Sequence, residues 1–186
     1  LSKALKLDDA ECCHLFLLAQ RRPPPVEAYQ WDQVSPRVQQ LMDDLTLRPA
    51  YVTNLRWDVI AWNAAAQQLL DLEQRSRQER NILHMLFADP VLRQRLPQWR
   101  DEAPCLLAQF RCDMAATPDD PAMLALVEGL KSVSPDFRRW WASSDLSGYA
   151  RGFHEVGDAE GRVQQFDHEM LTVDEHRHLR MVVYFI

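Results

Sequence analysis

PAYVTNLRWDVIAWNAAAQQLL, residues 49–70, decides the fold. Tyr51, Val52 and Thr53 are β-formers. Asn54-Leu55-Arg56 can turn, and Trp57 to Trp62 resumes extended character. Asn63 stands where an N-cap belongs, with its side-chain oxygen free to accept from the N–H of Ala65 or Ala66. Ala64 to Leu70 is a run of strong helix formers. The order is therefore strand, turn, strand, helix.

Upstream, Ser35-Pro36 starts a helix that reaches Leu47, with Val38, Leu41, Met42 and Leu45 as its apolar stripe. Before it, residues 1–20 read as two short amphipathic helices, stopped by Arg21-Arg22-Pro23-Pro24-Pro25. Downstream, the charged run Glu73–Arg80 suits solvent, whereas Asn81 to Pro90 is apolar on nearly every side and suits the interior. Asp89-Pro90 caps a short helix. A long one runs from Pro97 to about Ala116, with Trp99, Ala103, Leu106, Leu107, Phe110 and Met114 on one face and a kink expected at Pro104. Asp120-Pro121 opens a helix with Leu124, Val127 and Leu130 inward, and Ser134-Pro135 opens another bearing Phe137, Trp140 and Trp141.

The tail turns to β. Strands are expected over 149–156, over 162–173 with Val163, Phe166 and Leu171 on one side, and over 179–186. Two early and three late strands with helices between them predict an α+β fold: a five-stranded antiparallel sheet with a helical layer on one face.

Composition narrows the function. The chain has 186 residues, 47% of them apolar, enough for one full domain and a small appendage. A net charge of −6 with scattered Lys and Arg leaves no basic footprint, so DNA contact falls to a small patch or to residues outside the chain. No apolar run approaches the roughly 20 residues of a membrane span. The four cysteines form no framework, which fits reduced thiols in a cytoplasmic protein. There is no Gly-rich phosphate loop, G-x-S-x-G, C-x-x-C or H-E-x-x-H, so neither an enzyme nor a cofactor is expected. His176-x-His178 beside Asp174 and Glu175 could ligate a metal, but a polar hairpin tip explains it more simply. His154, His168 and Glu169 have no accompanying nucleophile.

A binding module fits better. Trp57, Trp62, Phe87, Trp99, Phe110, Phe137, Trp140 and Trp141 crowd the middle of the chain; most are core, but such residues also line ligand pockets. Arg111 lies along the apolar side of its helix and Arg138 beside the next apolar stripe. Each needs an internal carboxylate, a ligand anion, or a path to solvent.

The strings Trp57-Asp58-x-x-Ala61-Trp62-Asn63, Asn81 to Pro90, Arg111-x-Asp113, Pro118 to Pro121, Ser134 to Arg138 with Trp141-Ala142, and Leu179 to Tyr184 together resemble the MmyB-like ligand-binding domain of bacterial XRE-type helix-turn-helix transcription regulators. The resemblance covers residues 26–186 and implies a PAS-like effector domain binding a small, hydrophobic, fatty-acid-like molecule. It implies that residues 1–25 are the last helices and linker of a helix-turn-helix domain, whose recognition helix would lie upstream, and that the regulator is a homodimer without a membrane partner. Tyr51, Trp57, Trp62, Phe87, Phe110 and Trp140 would contact the acyl chain; Arg111 and Arg138, with Asn63 or His154, would hold its carboxylate. Family members often carry His-Asp where this chain has Ser144-Asp145, which makes His154 a candidate substitute. The alternative is a dimerisation or protein-interaction module with a filled core and no ligand.

Overall fold

The structure is a computed structural model, and it describes residues 32–117, 120–143, 155–157, 162–174 and 178–185. The expected helices of residues 1–25, the Ser144-Asp145 pair, His154 and His176 lie outside the described residues. The elements in chain order are α1 (Pro36–Asp44), β1 (Ala50–Thr53), β2 (Val59–Trp62), α2 (Ala64–Leu70), α3 (Ile82–Ala88), α4 (Pro90–Gln94), α5 (Trp99–Ala116), α6 (Pro121–Val133), α7 (Pro135–Ala142), β3 (Glu155–Gly157), β4 (Val163–Gln165), β5 (Asp167–Thr172) and β6 (Arg180–Phe185).

The fold is mixed α+β, but among the described residues the expected five-stranded sheet does not form. Four strands make one antiparallel sheet in the order β2-β1-β6-β5, and β3 and β4 form a separate pair. The break lies at Phe166. Its ring is buried edge-on against Tyr184, 5.5 Å between centroids, and this turns the chain between β4 and β5. Val163 and Leu171, expected on the Phe166 side, are about half exposed; His168 is the buried member of β5.

Both faces of the sheet are covered, not one. Period-2 alternation sends Tyr51 of β1 with Val182 and Tyr184 of β6 to the main core, against α3, α5 and α6. Ala50, Val52, Met181 and Val183 face the other way, onto Met42, Val38 and Leu45 of α1 and the loop after it. Burial on both faces explains why all four residues of β1 are buried.

The helices begin where their caps dictate. Ser35, Asn63, Asn81, Asp89, Asp120 and Ser134 each accept a hydrogen bond from a first-turn N–H. α5 starts at Trp99 rather than Pro97 and continues through Pro104 to Ala116. In α6 the inward row is Met123, Val127 and Leu130, while Leu124 is 45% exposed. Steps of three residues drift backward by about 60° each on a helix of 3.6 residues per turn, so Leu124 falls off the face that Val127 and Leu130 share.

Candidate functional site

The site starts at the β1–β2 turn. Asn54 Oδ1 accepts from the N–H groups of Arg56 and Asp58, and the Trp57 N–H donates to the Asn54 carbonyl. Asn81, the cap of α3, reaches back to donate to the Arg56 carbonyl at 2.7 Å and to Asp58 Oδ1 at 2.8 Å. The Ile82 N–H donates to the Trp57 carbonyl, and Arg56 pairs with Asp120, the cap of α6, at 2.8 Å. Trp57 therefore sits in a cage of hydrogen bonds that holds it at φ 67°, a left-handed conformation costly for a bulky residue.

The held indole points between sheet and helix. Its edge meets the Phe110 ring at 5.7 Å, and its Nε1–H donates to Asp113 Oδ2 at 2.8 Å. Asp113 also takes both arms of Arg180, at 2.5 and 2.6 Å. The Asp113 and Arg180 side chains retain only 12% and 21% of their exposure, so the pair is largely desolvated. Leu106, Gln109, Phe110 and Asp113 follow i, i+3, i+4, i+7 spacing and share one face of α5. Arg180 opens β6.

Beside this pair lies a cavity walled by Tyr51, Trp57, Leu106, Met170, Val182 and Tyr184, with Gln109 and Arg180 among its polar groups. Arg180 is the one cation lining it among the described residues. Burial pushes the Tyr51 phenol well above its usual pKa, and the neighbouring Tyr184 adds to the rise, so Tyr51 stays neutral at ordinary pH. The free volume is about 40 Å³, room for about three waters. Drug-sized ligands occupy about 300–1,000 Å³. The cavity is too small for such a ligand in this state.

A larger cleft of about 500 Å³ opens between the β1–β2 turn, Arg77, His84 and one side of α6. Several of its polar groups are paired: Arg56 with Asp120, Asp58 with Asn54 and Asn81, Arg77 with Asp32. None of the residues expected to contact a ligand lines it, although Asp58 and Asn81 of the family-like strings do. Both open to solvent; the smaller cavity has the more apolar lining and lies against the sheet.

The residues expected at one ligand site are spread over several places. Tyr51 and Trp57 line the cavity, and Phe110 packs behind Trp57. Trp62 neighbours Tyr51 across the strands but lies under the Arg80 guanidinium, 4.9 Å away. Phe87 and Trp140 belong to a separate aromatic knot with Trp99 and Phe137, in which centroids are 5.0 to 6.1 Å apart. Asn63 is consumed by the fold. Its Oδ1 accepts from Ala50 and Ala66, and its Nδ2 donates to the carbonyls of Met42, Leu45 and Arg48.

Neither expected arginine reaches the cavity. Arg111 donates to the carbonyls of Trp141 and Ser143 and lies over the Trp141 ring at 4.6 Å, so it closes the C-terminal end of α7. Arg138 is exposed and donates to the Lys131 carbonyl. The arginine that lines the cavity is Arg180, which the sequence reading did not single out. Its signal was present: a cation at the start of an otherwise apolar strand, on the same face as Val182 and Tyr184.

No group of three or more His, Cys, Asp or Glu among the described residues could hold a metal ion. No helix among them is long and apolar enough to cross a membrane. A family model described as the MmyB-like transcription regulator ligand binding domain matches residues 34–186. No curated protein matches the chain.

Proposed function

The chain belongs to the MmyB-like ligand-binding domain family of transcription regulators, and from that membership we propose that its effector is an elongated, fatty-acid-like amphiphile bound between the sheet and α5. The observation that carries this reading is the cavity itself. Tyr51, Trp57, Leu106, Val182 and Tyr184 offer apolar walls to a hydrocarbon, and one largely desolvated cation stands at its polar side. Family membership supplies the regulatory role: this is the ligand-binding domain of a ligand-regulated transcription regulator, not a member of an enzyme family.

In this proposal residues 26–186 are a PAS-like effector domain, and residues 1–25 are the end of an XRE-type helix-turn-helix domain and its linker. The regulator is a cytoplasmic homodimer that binds DNA through residues upstream of the chain. The absence of a basic footprint in a chain of net charge −6 fits DNA contact made elsewhere. Ligand binding alters DNA affinity only if the ligand favours one arrangement of the two domains over another. In this proposal the tract Arg21 to Pro25 transmits that preference.

The test is organic extraction of the purified chain followed by mass spectrometry. A stoichiometric long-chain acid or related amphiphile, together with a rise in Tm when that compound is added back, is the expected result. The small free volume favours a second reading, a dimerisation module with a filled core. An empty extract with no Tm response to acids of any chain length would establish it.

A further inference from the structure

Two facts about the cavity pull against each other. It has the walls of an acyl site, yet it holds only about 40 Å³. An ion pair stands at its polar side. Asp113 on α5 and Arg180 at the start of β6 are tied by a two-armed ion pair that joins helix to sheet. Two parallel N–H···O bonds are how a guanidinium recognises a carboxylate. Arg180 thus already displays carboxylate recognition, with a side chain of the protein as the occupant.

We propose that Asp113 is a built-in stand-in for the ligand head group, and that an acyl carboxylate binds by taking its place on Arg180. The inference rests on the ligand-binding reading above and assigns Arg180 as the anchor and Asp113 as the residue that sets specificity. The exchange replaces one carboxylate by another on the same cation, so Arg180 is never left desolvated and unpaired, the costly outcome for a buried charge. The displaced Asp113 keeps the Trp57 Nε1–H as a donor. Because the pair is also the clasp between α5 and β6, the step that anchors the head group frees Leu106 and Gln109 to move away from the sheet about the retained Asp113–Trp57 contact and make room for the chain. A neutral amphiphile cannot drive the exchange and meets a cavity too small for its chain.

The experiment measures binding of decanoate and of decanol, by calorimetry, to the wild-type chain, D113N and R180Q. Asp113→Asn keeps the shape and a hydrogen-bonding side chain but removes the competing charge. D113N is expected to bind decanoate about tenfold more tightly than wild type. R180Q is expected to lose the preference for decanoate over decanol. Equal decanoate affinity in D113N and wild type, or weaker affinity in D113N, with decanoate still bound by the wild type, would overturn the exchange and leave the ligand site standing. Failure of both compounds to bind any of the three proteins, with each showing a cooperative thermal transition, would overturn the ligand reading and this inference with it.

Discussion

Asn63 works at both ends of its amide. Its oxygen caps α2 and also takes the Ala50 N–H, while its nitrogen gathers three carbonyls from the loop after α1. Asn63→Ala removes the cap, about 1 kcal/mol, and strands buried groups on both sides. A loss of about 2–4 kcal/mol is expected in urea denaturation. Asn63→Asp keeps the cap acceptor but aims a carboxylate at carbonyl oxygens, so it too should destabilise the chain; a neutral result would show that the carbonyl contacts carry no weight. The capping half of this was legible, because an Asn before an Ala-rich run has one obvious use. The other half was not, since Met42, Leu45 and Arg48 come to Asn63 only through the tertiary fold. The same limit explains the arginines. Helical spacing placed Arg111 near apolar neighbours, but nothing local says that the C-terminal end of α7 would arrive to take its donors.

At the scale of elements, the aromatic-rich middle of the chain separates into two jobs. Phe87, Trp99, Phe137 and Trp140 knot α3, α5 and α7 together, and Phe137 is fully buried. Phe137→Ala should cost about 3–5 kcal/mol of unfolding free energy while leaving amphiphile selectivity unchanged. Altered selectivity would mean that the knot and the cavity are one unit. The caps were readable element by element, but the division of labour among rings was not, because identical spacing serves core and pocket alike. Asp89 gives a test in pH. Burial opposes its charge, but the N–H groups of Leu92 and Val91 and the ion pair with Arg75 at 2.6 Å outweigh burial and hold its pKa below the usual carboxylate value. A carboxyl whose pKa is lowered on folding stabilises the fold above its unfolded pKa, near 3.9, and that increment is lost as pH falls through the folded value. Urea titrations at a series of pH values should therefore show D89N losing less stability than wild type on acidification below about pH 5. Parallel acid limbs would exclude Asp89 as a contributor.

Across the whole molecule, the sequence carried the α+β class and the four strands of the main sheet. Its fifth strand failed at Phe166, where a single buried ring outweighs strand continuity. That α1 covers the second face was implicit in its stripe of Val38, Met42 and Leu45, but which surface a stripe meets is not written locally. The strand order has a further consequence, in time rather than space. Tyr51 lies beside Val182, so β1, one of the two central strands of the sheet, waits for a partner made long after it. Closing so long a loop is slow relative to local helix formation. While the chain is on the ribosome, the β1–β2 hairpin presents a bare apolar edge with no partner yet synthesised. Chains cut short before Arg180 should consequently not retain a cooperative transition. Nascent-chain proteolysis should show protection of β1 appearing only once β6 has cleared the exit tunnel.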